Sequence, residues 1–501
     1  MTNNVIFWLD GDVTYFGLAK HLQSLLDCNI SAIFDITDKP KKFFQQQNIV
    51  NFNKIWFYHD YIKKTNQKPD LKYLENFEEK YKINLWLLAY NERLFFNFNY
   101  YYKFTRDEIL SILEQECKLF EMILDESKPD FLIMSQTNLH HNHLFHELCK
   151  SKGIKILMLG PSRFGYRCMI STDSEKIDDT FKIENSRTNL GTWEDLQNYL
   201  QRFDSFKNST QWKKRFLTSR FKHIKSALSY LFTSNSNVKT HYTYYGRTKI
   251  NVLTKQIFYL CVEKYRAYFI DKYLTRDLNL DRPFVYFPLH EEPEAILLLN
   301  SPFFTNQIEL IKQIVKSLPI GYDLFVKEHF IMNSRGWRKT SFYKEIMNLP
   351  NVRLIHPTVT PKEILEKCSL VITIAGTSGL EAALNRKPCI IFSDTLYDRL
   401  PSVTRVKNIE DLPNIIKDSL KIKVNPSDII DYAKFIDENS FEFDAISLGL
   451  DANDHFYYGG FLANTEITTT QMESFLKKHY DTFEKFALEH IKKINHYKIH
   501  M

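Results

Sequence analysis

The stretch Ser369 to Phe392, SLVITIAGTSGLEAALNRKPCIIF, restricts the fold more than any other part of the chain, because it reads as strand, small-residue turn, helix and second strand with no spare residues. Leu370 to Ile374 is a short apolar run of β-rich character. It stops at Ala375-Gly376-Thr377-Ser378-Gly379, where glycine permits close backbone approach and Thr or Ser supplies a helix N-cap. Leu380 to Leu384 are strong helix formers, Asn385 to Pro388 close the helix, and Cys389 to Phe392 resumes an apolar strand. In a parallel sheet this turn sets a helix N-terminus, with its unpaired N–H groups and positive dipole, at a strand's carboxyl end, which suits a phosphate. Glu381, one turn in, is placed to accept hydroxyls of a ribose or sugar. An ordinary βαβ turn with a good cap uses the same residues, so the motif by itself leaves both readings open. Only 14 of the 501 residues are Gly, against a usual share of ~7%, so two within four positions stand out.

A chain of 501 residues is too long for one core and divides into two or three domains. Its hydrophobic fraction of 44% and charged fraction of 25% are those of a globular protein. The seven cysteines are scattered, with no C-x-x-C and no short Cys/His spacing, which points to a reducing compartment and to no zinc site. The N-terminus, MTNNVIFWLDGD, has no basic stretch followed by an apolar one, and no run approaches ~18 apolar residues, so the reading is a cytoplasmic chain without leader or membrane span.

Val5 to Leu9 reads as a strand ending at Asp10-Gly11-Asp12, Tyr15 to Leu25 as an amphipathic helix and Ile30 to Ile36 as the next strand. Helix Glu108 to Glu126, strand Phe131 to Ser135, helix His143 to Ser151 and strand Ile154 to Leu159 continue the alternation. Residues 1–192 therefore form one doubly wound α/β domain. Residues 193–280 change to long helical patterns. Between Lys213 and Arg276 there are 14 Lys/Arg against two acids, Glu263 and Asp271, with Trp212, Phe216, Phe221, Tyr230 and Phe232 interleaved. Basic helices carrying aromatics can lie on an anionic membrane surface, and a solvated basic linker is the plainer alternative. No nucleic-acid motif accompanies the charge. Residues 281–430 resume the alternation: strand Phe284 to Pro288, helix Gln307 to Ser317, strand Asp323 to Lys327, helix Ser341 to Met347, strand Val352 to Ile355, helix Pro361 to Lys367, then the opening motif. After Leu420 the pattern is irregular, 451–469 reads as a loop, and Met472, Phe475, Leu476, Tyr480, Phe483, Phe486, Ala487 and Ile491 mark one face of a final amphipathic helix within 431–501. Two doubly wound domains place ligand at the carboxyl ends of their strands.

Chemistry-bearing residues gather at those ends. His290, Glu292 and Glu294 follow strand Phe284 to Pro288; Lys327, Glu328 and His329 end the next, where Lys327 or His329 can neutralise phosphate and Glu328 can orient the imidazole; His356 ends a third. Each alone is better explained by a structural role than by a ligand contact, but together they sit on successive strand ends.

The segments FPLHEEPEA, SPFFTNQIELIKQIVKSLPIGYDLFVKEH, NLPNVRLIHP and VITIAGTSGLEAALNRKPCIIF resemble the sequence blocks of capsule polysaccharide biosynthesis proteins, a group of GT-B-like glycosyltransferases. The resemblance covers roughly Phe284 to Leu412 and is looser over 1–170. It implies two Rossmann-like domains, a nucleotide-sugar donor held mainly by the C-terminal one and an acceptor on the N-terminal one. His329 matches the His of the family's His-Pro donor motif, Thr377 and Ser378 its Ser/Thr phosphate-binding turn, and Glu381 its acidic helix position. Phe330 stands where that motif has Pro, so the loop presenting His329 is expected to differ. Related transferases with these motifs use CMP-activated acid sugars, and others of GT-B shape use UDP or GDP sugars.

The expectation is a GT-B-like glycosyltransferase of a surface glycan that works without a metal or other cofactor, a CMP-sugar being favoured over a UDP-sugar as donor and a glycan or lipid-linked glycan serving as acceptor. Gly376 to Gly379, His329 and Lys327 would hold the leaving phosphate, fixed donors aimed at developing charge being a large catalytic term. Asp10 or Asp12 would serve as general base, or as nucleophile if configuration is retained, while Asp12 is equally well read as an acidic helix cap. His140, His141 and His143 form a second acceptor-side set. The basic segment would rest on the inner membrane face. Alternatives are a UDP-sugar 2-epimerase-like enzyme, which needs no acceptor, and a non-catalytic glycan assembly or export scaffold, which Phe330 favours.

Overall fold

The computed structural model describes residues 2–96, 99, 101–178, 191–201, 241–278, 282–333, 336–460 and 464–499. Among the described residues thirteen strands run in chain order: β1 Asn3–Leu9, β2 Cys28–Phe34, β3 Lys54–Phe57, β4 Phe131–Ser135, β5 Lys155–Pro161, β6 Arg167–Ser171, β7 Phe284–Pro288, β8 Asp323–Lys327, β9 Val352–Ile355, β10 Leu370–Thr373, β11 Cys389–Ile391, β12 Val403–Arg405 and β13 Phe441–Glu442. The chain divides into two units, one drawn from Met1–Asn185, Phe203–Lys249 and Glu438–Met501, the other from Ser186–Arg202 and Ile250–Asp437.

The first unit holds a seven-stranded sheet in the order β13-β6-β5-β4-β1-β2-β3. β1 to β5 are mutually parallel where they pair, with Val5 opposite both Ile30 and Phe131. β6 joins antiparallel to β5, and β13 antiparallel to β6. Both faces are buried, so β1 is apolar from Val5 to Leu9: Val5, Phe7 and Leu9 enter one core with Phe483 and Phe486, while Ile6 and Trp8 enter the other with Phe120 and Phe145. The helix Arg106–Ser127 opens on a reciprocal cap in which Thr105 and Glu108 each bond the other's backbone amide.

The second unit holds a six-stranded, all-parallel sheet, β12-β11-β10-β7-β8-β9. In local numbers this is 3-2-1-4-5-6, the order of a dinucleotide-binding sheet, whose strand order reverses between β7 and β10. Val285, Phe287, Leu324, Val326 and Ile372 form the centre of its core. Each unit is thus Rossmann-like, as the sequence implied.

The C-terminal region differs from the sequence reading. Past Leu420 there are further helices, Pro426–Glu438 and Ala445–Phe456, and the last amphipathic stretch is two helices, Thr469–Lys478 and Tyr480–Ile499, with His479 between them. From Glu438 onward the chain returns to the first unit: β13 extends its sheet, and Phe486 packs edge-on against Tyr15 of the helix Thr14–Leu25, ring centroids 6.0 Å apart. A contact across some 470 residues of chain leaves no trace in local periodicity. Of the basic segment 213–276, residues 213–240 lie outside the described residues. The helix Lys249–Tyr273 buries Phe269 and Ile270 and exposes Ile257, Phe258, Tyr265 and Tyr268. Among the described residues no helix is long and apolar enough to cross a membrane.

Candidate functional site

The carboxyl edge of the second sheet collects the expected residues around β7, β8 and β10. Thr373 ends β10, and its buried Oγ1 accepts the amide of Gly376 (3.3 Å) and lies 3.2 Å from Nε2 of His290, which follows β7. A Cβ on Gly376 would lie 2.9 Å from that Oγ1 and 3.2 Å from Cε1 of His290, so only glycine lets the turn close on the histidine. At Gly379 a Cβ would meet the Tyr397 ring at 2.5 Å, and the Tyr397 hydroxyl donates to the Gly376 carbonyl. The helix Ser378–Leu384 begins directly after this turn. Thr377 occupies the cap position in a helical conformation, φ −58° and ψ −20°, and its side chain makes no capping bond, contrary to the expected N-cap role. Among the described residues the amides of Thr377 and Ser378 have no acceptor.

Glu328, expected to orient the imidazole of His329, does something else. Its fully buried carboxylate accepts the His329 backbone amide at 2.6 Å on Oε1, and the Tyr343 hydroxyl (2.6 Å) and Arg338 Nε (2.9 Å) on Oε2. Arg338 also pairs with Glu292 (2.6 Å) and donates to the His290 carbonyl. Gln307 completes the frame, donating to Glu292 at 2.5 Å and accepting the His290 amide at 2.8 Å. Glu292 and Glu328 therefore hold the backbones that present His290 and His329. Arg338, Gln307 and Tyr397 carry no motif, and sequence reading passed over them.

The His329 ring has a buried Nδ1 without a hydrogen-bond partner among the described residues. Burial, aided by the Lys327 charge and opposed by Glu294, pushes its pKa down to about 4. In the unliganded chain His329 is therefore neutral near pH 7, and the neutralising charge expected of Lys327 or His329 falls to Lys327. That lysine is buried, with Nζ 3.5 Å from the Glu328 carbonyl, and its charge opposes the burial that raises the Glu381 carboxyl. His356 instead bonds Asp271 (3.0 Å) and Thr358 (2.6 Å), tying β9 to the helix Lys249–Tyr273.

In the first unit Asp10 and Asp12 follow β1, beside the point where the strand order reverses. Asp12 Oδ1 accepts the amide (3.0 Å) and hydroxyl (2.5 Å) of Thr14, which starts the helix Thr14–Leu25. Asp10 accepts the Asp12 amide at 2.9 Å. Burial first, then the Asp12 charge and at greater remove Asp35, push Asp10 up to about 7. The buried Tyr457 hydroxyl, without a hydrogen-bond partner among the described residues, lies 3.8 Å from where a Gly11 Cβ would stand. It arrives from the C-terminal return, invisible to a local reading. Of the acceptor-side histidines, His140 is fully buried between Glu92 (2.6 Å) and Glu116 (3.0 Å), with the Tyr58 hydroxyl on Glu116 at 2.5 Å. His141 shares Asp35 with His59, each at 2.8 Å. These two are interior network members, and only His143 of the set is partly exposed.

Residues 189–418 match the family model described as capsule polysaccharide biosynthesis protein. That part of the chain, which contains β7 to β12 and the second unit's site just described, is similar to the family. No curated protein matches the chain. Solved structures similar to it include UDP-GlcNAc 2-epimerase from Methanocaldococcus jannaschii, at 14% identity over 87% of this chain and 98% of that one, TM-score 0.26. The beta Kdo 2,7 transferase of Thermosulfurimonas dismutans KpsC shares 11% identity over 63% of this chain and 80% of that one, TM-score 0.29. UDP-GlcNAc 2-epimerase from Neisseria meningitidis, bound to UDP-GlcNAc, shares 12% over 86% and 98%, TM-score 0.25. Likeness at this level carries no inference about activity.

Proposed function

We propose that the protein is a glycosyltransferase of capsule or surface polysaccharide synthesis, moving a sugar from a nucleotide-sugar to a glycan or lipid-linked glycan acceptor. One observation carries the reading: inside the family-matched segment, a glycine turn with unpaired amides lies at the reversal point of a dinucleotide-type sheet, against His290 and beside a buried lysine. The amides of Thr377 and Ser378, the Ser378 hydroxyl and Lys327 take the donor phosphate, and His329 Nδ1 gives or accepts one further hydrogen bond there. Glu381 receives sugar or ribose hydroxyls. The leaving phosphate then departs into preset donors, the effect that lowers such barriers most, and no metal is needed for this step. Asp10, poised near neutral pH, takes the proton of the acceptor hydroxyl. A CMP-sugar is favoured as donor. The chain works on the cytoplasmic side, with 213–276 resting on anionic lipid and the acceptor held at that surface.

A thermal-shift screen against CMP, UDP and GDP tests the donor site. A nucleotide at 100 times its dissociation constant stabilises the native chain by roughly 2.7 kcal/mol, and Ser378→Ala and His329→Ala each abolish that response. A flat response to all three nucleotides overturns the reading in favour of a scaffold. Nucleotide binding without transfer of label to any glycan acceptor, but with epimerised sugar released, overturns it in favour of an epimerase.

A further inference from the structure

On the first unit, helix His140–Ser151 brings together His143, His146 and Glu147, each offering one ligand-type atom within 4.8 Å of the others. Their neighbours dictate how His146 is protonated. His146 Nε2 lies 2.9 Å from the carbonyl oxygen of Thr172, an atom that can only accept, so Nε2 carries the hydrogen. In a neutral ring Nδ1 is then a bare lone pair. It faces Oε1 of Glu147 at 3.0 Å, and a carboxylate brings only lone pairs of its own. Two acceptors this close need a positive charge between them, which either a second proton on the ring or a bound cation supplies. The His143 ring lies parallel to that of His146, 10° apart with centroids separated by 5.7 Å, and its Nδ1 is 3.1 Å from the Thr137 hydroxyl. A second imidazole, the third ligand-type group, thus stands beside the pair.

The surrounding charge points the same way. Asp173 Oδ1 lies 3.7 Å from His146 Nε2, and Lys150 bonds Asp173 at 3.1 Å while standing 4.0 Å from Glu147. Two carboxylates against one ammonium leave a net negative pocket. An imidazole whose far N–H is tied to a backbone carbonyl is the arrangement that fixes the ring of a metal-ligating histidine. The other such group, Glu116, His140 and His141, is buried throughout, whereas this one reaches the surface.

We propose that His143, His146 and Glu147 bind one divalent transition cation of the zinc class. Two imidazoles and a carboxylate suit a borderline-soft ion, whereas calcium and magnesium prefer all-oxygen sites. His143 and Glu147 are partly exposed, which gives the ion a way in, while His146 is buried beneath them. The ion ties two turns of the helix together, and through the Thr172 carbonyl it ties that helix to the end of β6. It takes no part in the transfer step proposed above.

The test uses the full chain, treated with chelator and then titrated with ZnCl2 by calorimetry and with CoCl2 by visible absorption. The expected result is one Zn2+ per chain and cobalt d–d bands without thiolate-to-cobalt charge transfer, which separates this site from the exposed Cys261. His143→Ala and Glu147→Gln, each checked for fold by circular dichroism, lose at least tenfold in affinity. Equal zinc affinity in the parent chain and both variants overturns the proposal. So does nitrogen NMR showing His146 protonated on both ring nitrogens with and without zinc, because the second proton then supplies the missing charge.

Discussion

Asp10→Asn separates a working carboxylate from a structural one, because the two roles predict opposite signs. The folded chain holds the Asp10 proton up to about 7, against 3.8 for the free side chain, with burial the largest cause and the Asp12 charge next. A carboxyl raised in this way keeps its proton when folded at pH values where the unfolded chain has released it. The unfolded state then binds fewer protons, so stability falls as pH rises from about 4 to 7 and stays low above that. About three decades in proton affinity, at 1.36 kcal/mol each, set a ceiling of about 4 kcal/mol. Partial exposure of Asp10 screens this to roughly 2–4 kcal/mol. Asparagine removes the ionisation and keeps the oxygen that accepts the Asp12 amide. The variant is therefore expected to match the parent at pH 4 and to unfold roughly 5–10 °C higher at pH 8, while losing sugar transfer. Scanning calorimetry at pH 4, 6 and 8 measures the first part, and label transfer the second. A variant less stable at pH 8, or one whose difference from the parent does not change with pH, refutes the account and returns Asp10 to a loop-bracing role.

Two further outcomes follow from the first unit's interior and from the basic segment. His140→Gln strands Glu92 and Glu116 without their shared cation, and denaturant unfolding should show a loss of about 3–5 kcal/mol. Although burial alone would lower His140, the Glu116 and Glu92 charges raise it to about 10, so its contribution is whole below pH 6.5 and fades as pH climbs to about 10. The variant should accordingly lose less stability than the parent between those limits. Vesicle flotation should recover the chain with phosphatidylglycerol vesicles and not with phosphatidylcholine. The exposed Ile257, Phe258, Tyr265 and Tyr268 supply the apolar contact, and flotation that is equal on both lipids removes the electrostatic part of that proposal.

How far the sequence could be read depended on whether a feature was local. β7, β8 and β9, and the helices Gln307–Ser317 and Pro361–Lys367, fall where the apolar runs and caps place them, because strands buried on both faces are continuous apolar runs and Thr360-Pro361 with Glu363 is a complete start signal. β6 and β13 were missed for the opposite reason. An antiparallel edge pair made from residues near 168 and 441 exists only through its partner, and two residues of strand have no period. The site divides along the same line. Gly376 to Gly379 could be found because small residues between a strand and a helix are rare in a glycine-poor chain. What Glu328 does could not, because its partners Arg338 and Tyr343 lie beyond the next turn and the carboxylate binds the His329 amide instead of its ring. The charge state of His329 follows from that frame. Burial, with Lys327 and Arg338 adding to it and Glu294 opposing, keeps the imidazole neutral until an anion arrives. A histidine that is neutral in the free chain can gain a proton as phosphate binds, and nucleotide affinity should then rise as pH falls toward 6, in step with the His329 requirement. Residue type alone put a histidine at a strand end; only the buried frame around it gives that histidine a state that responds to the ligand.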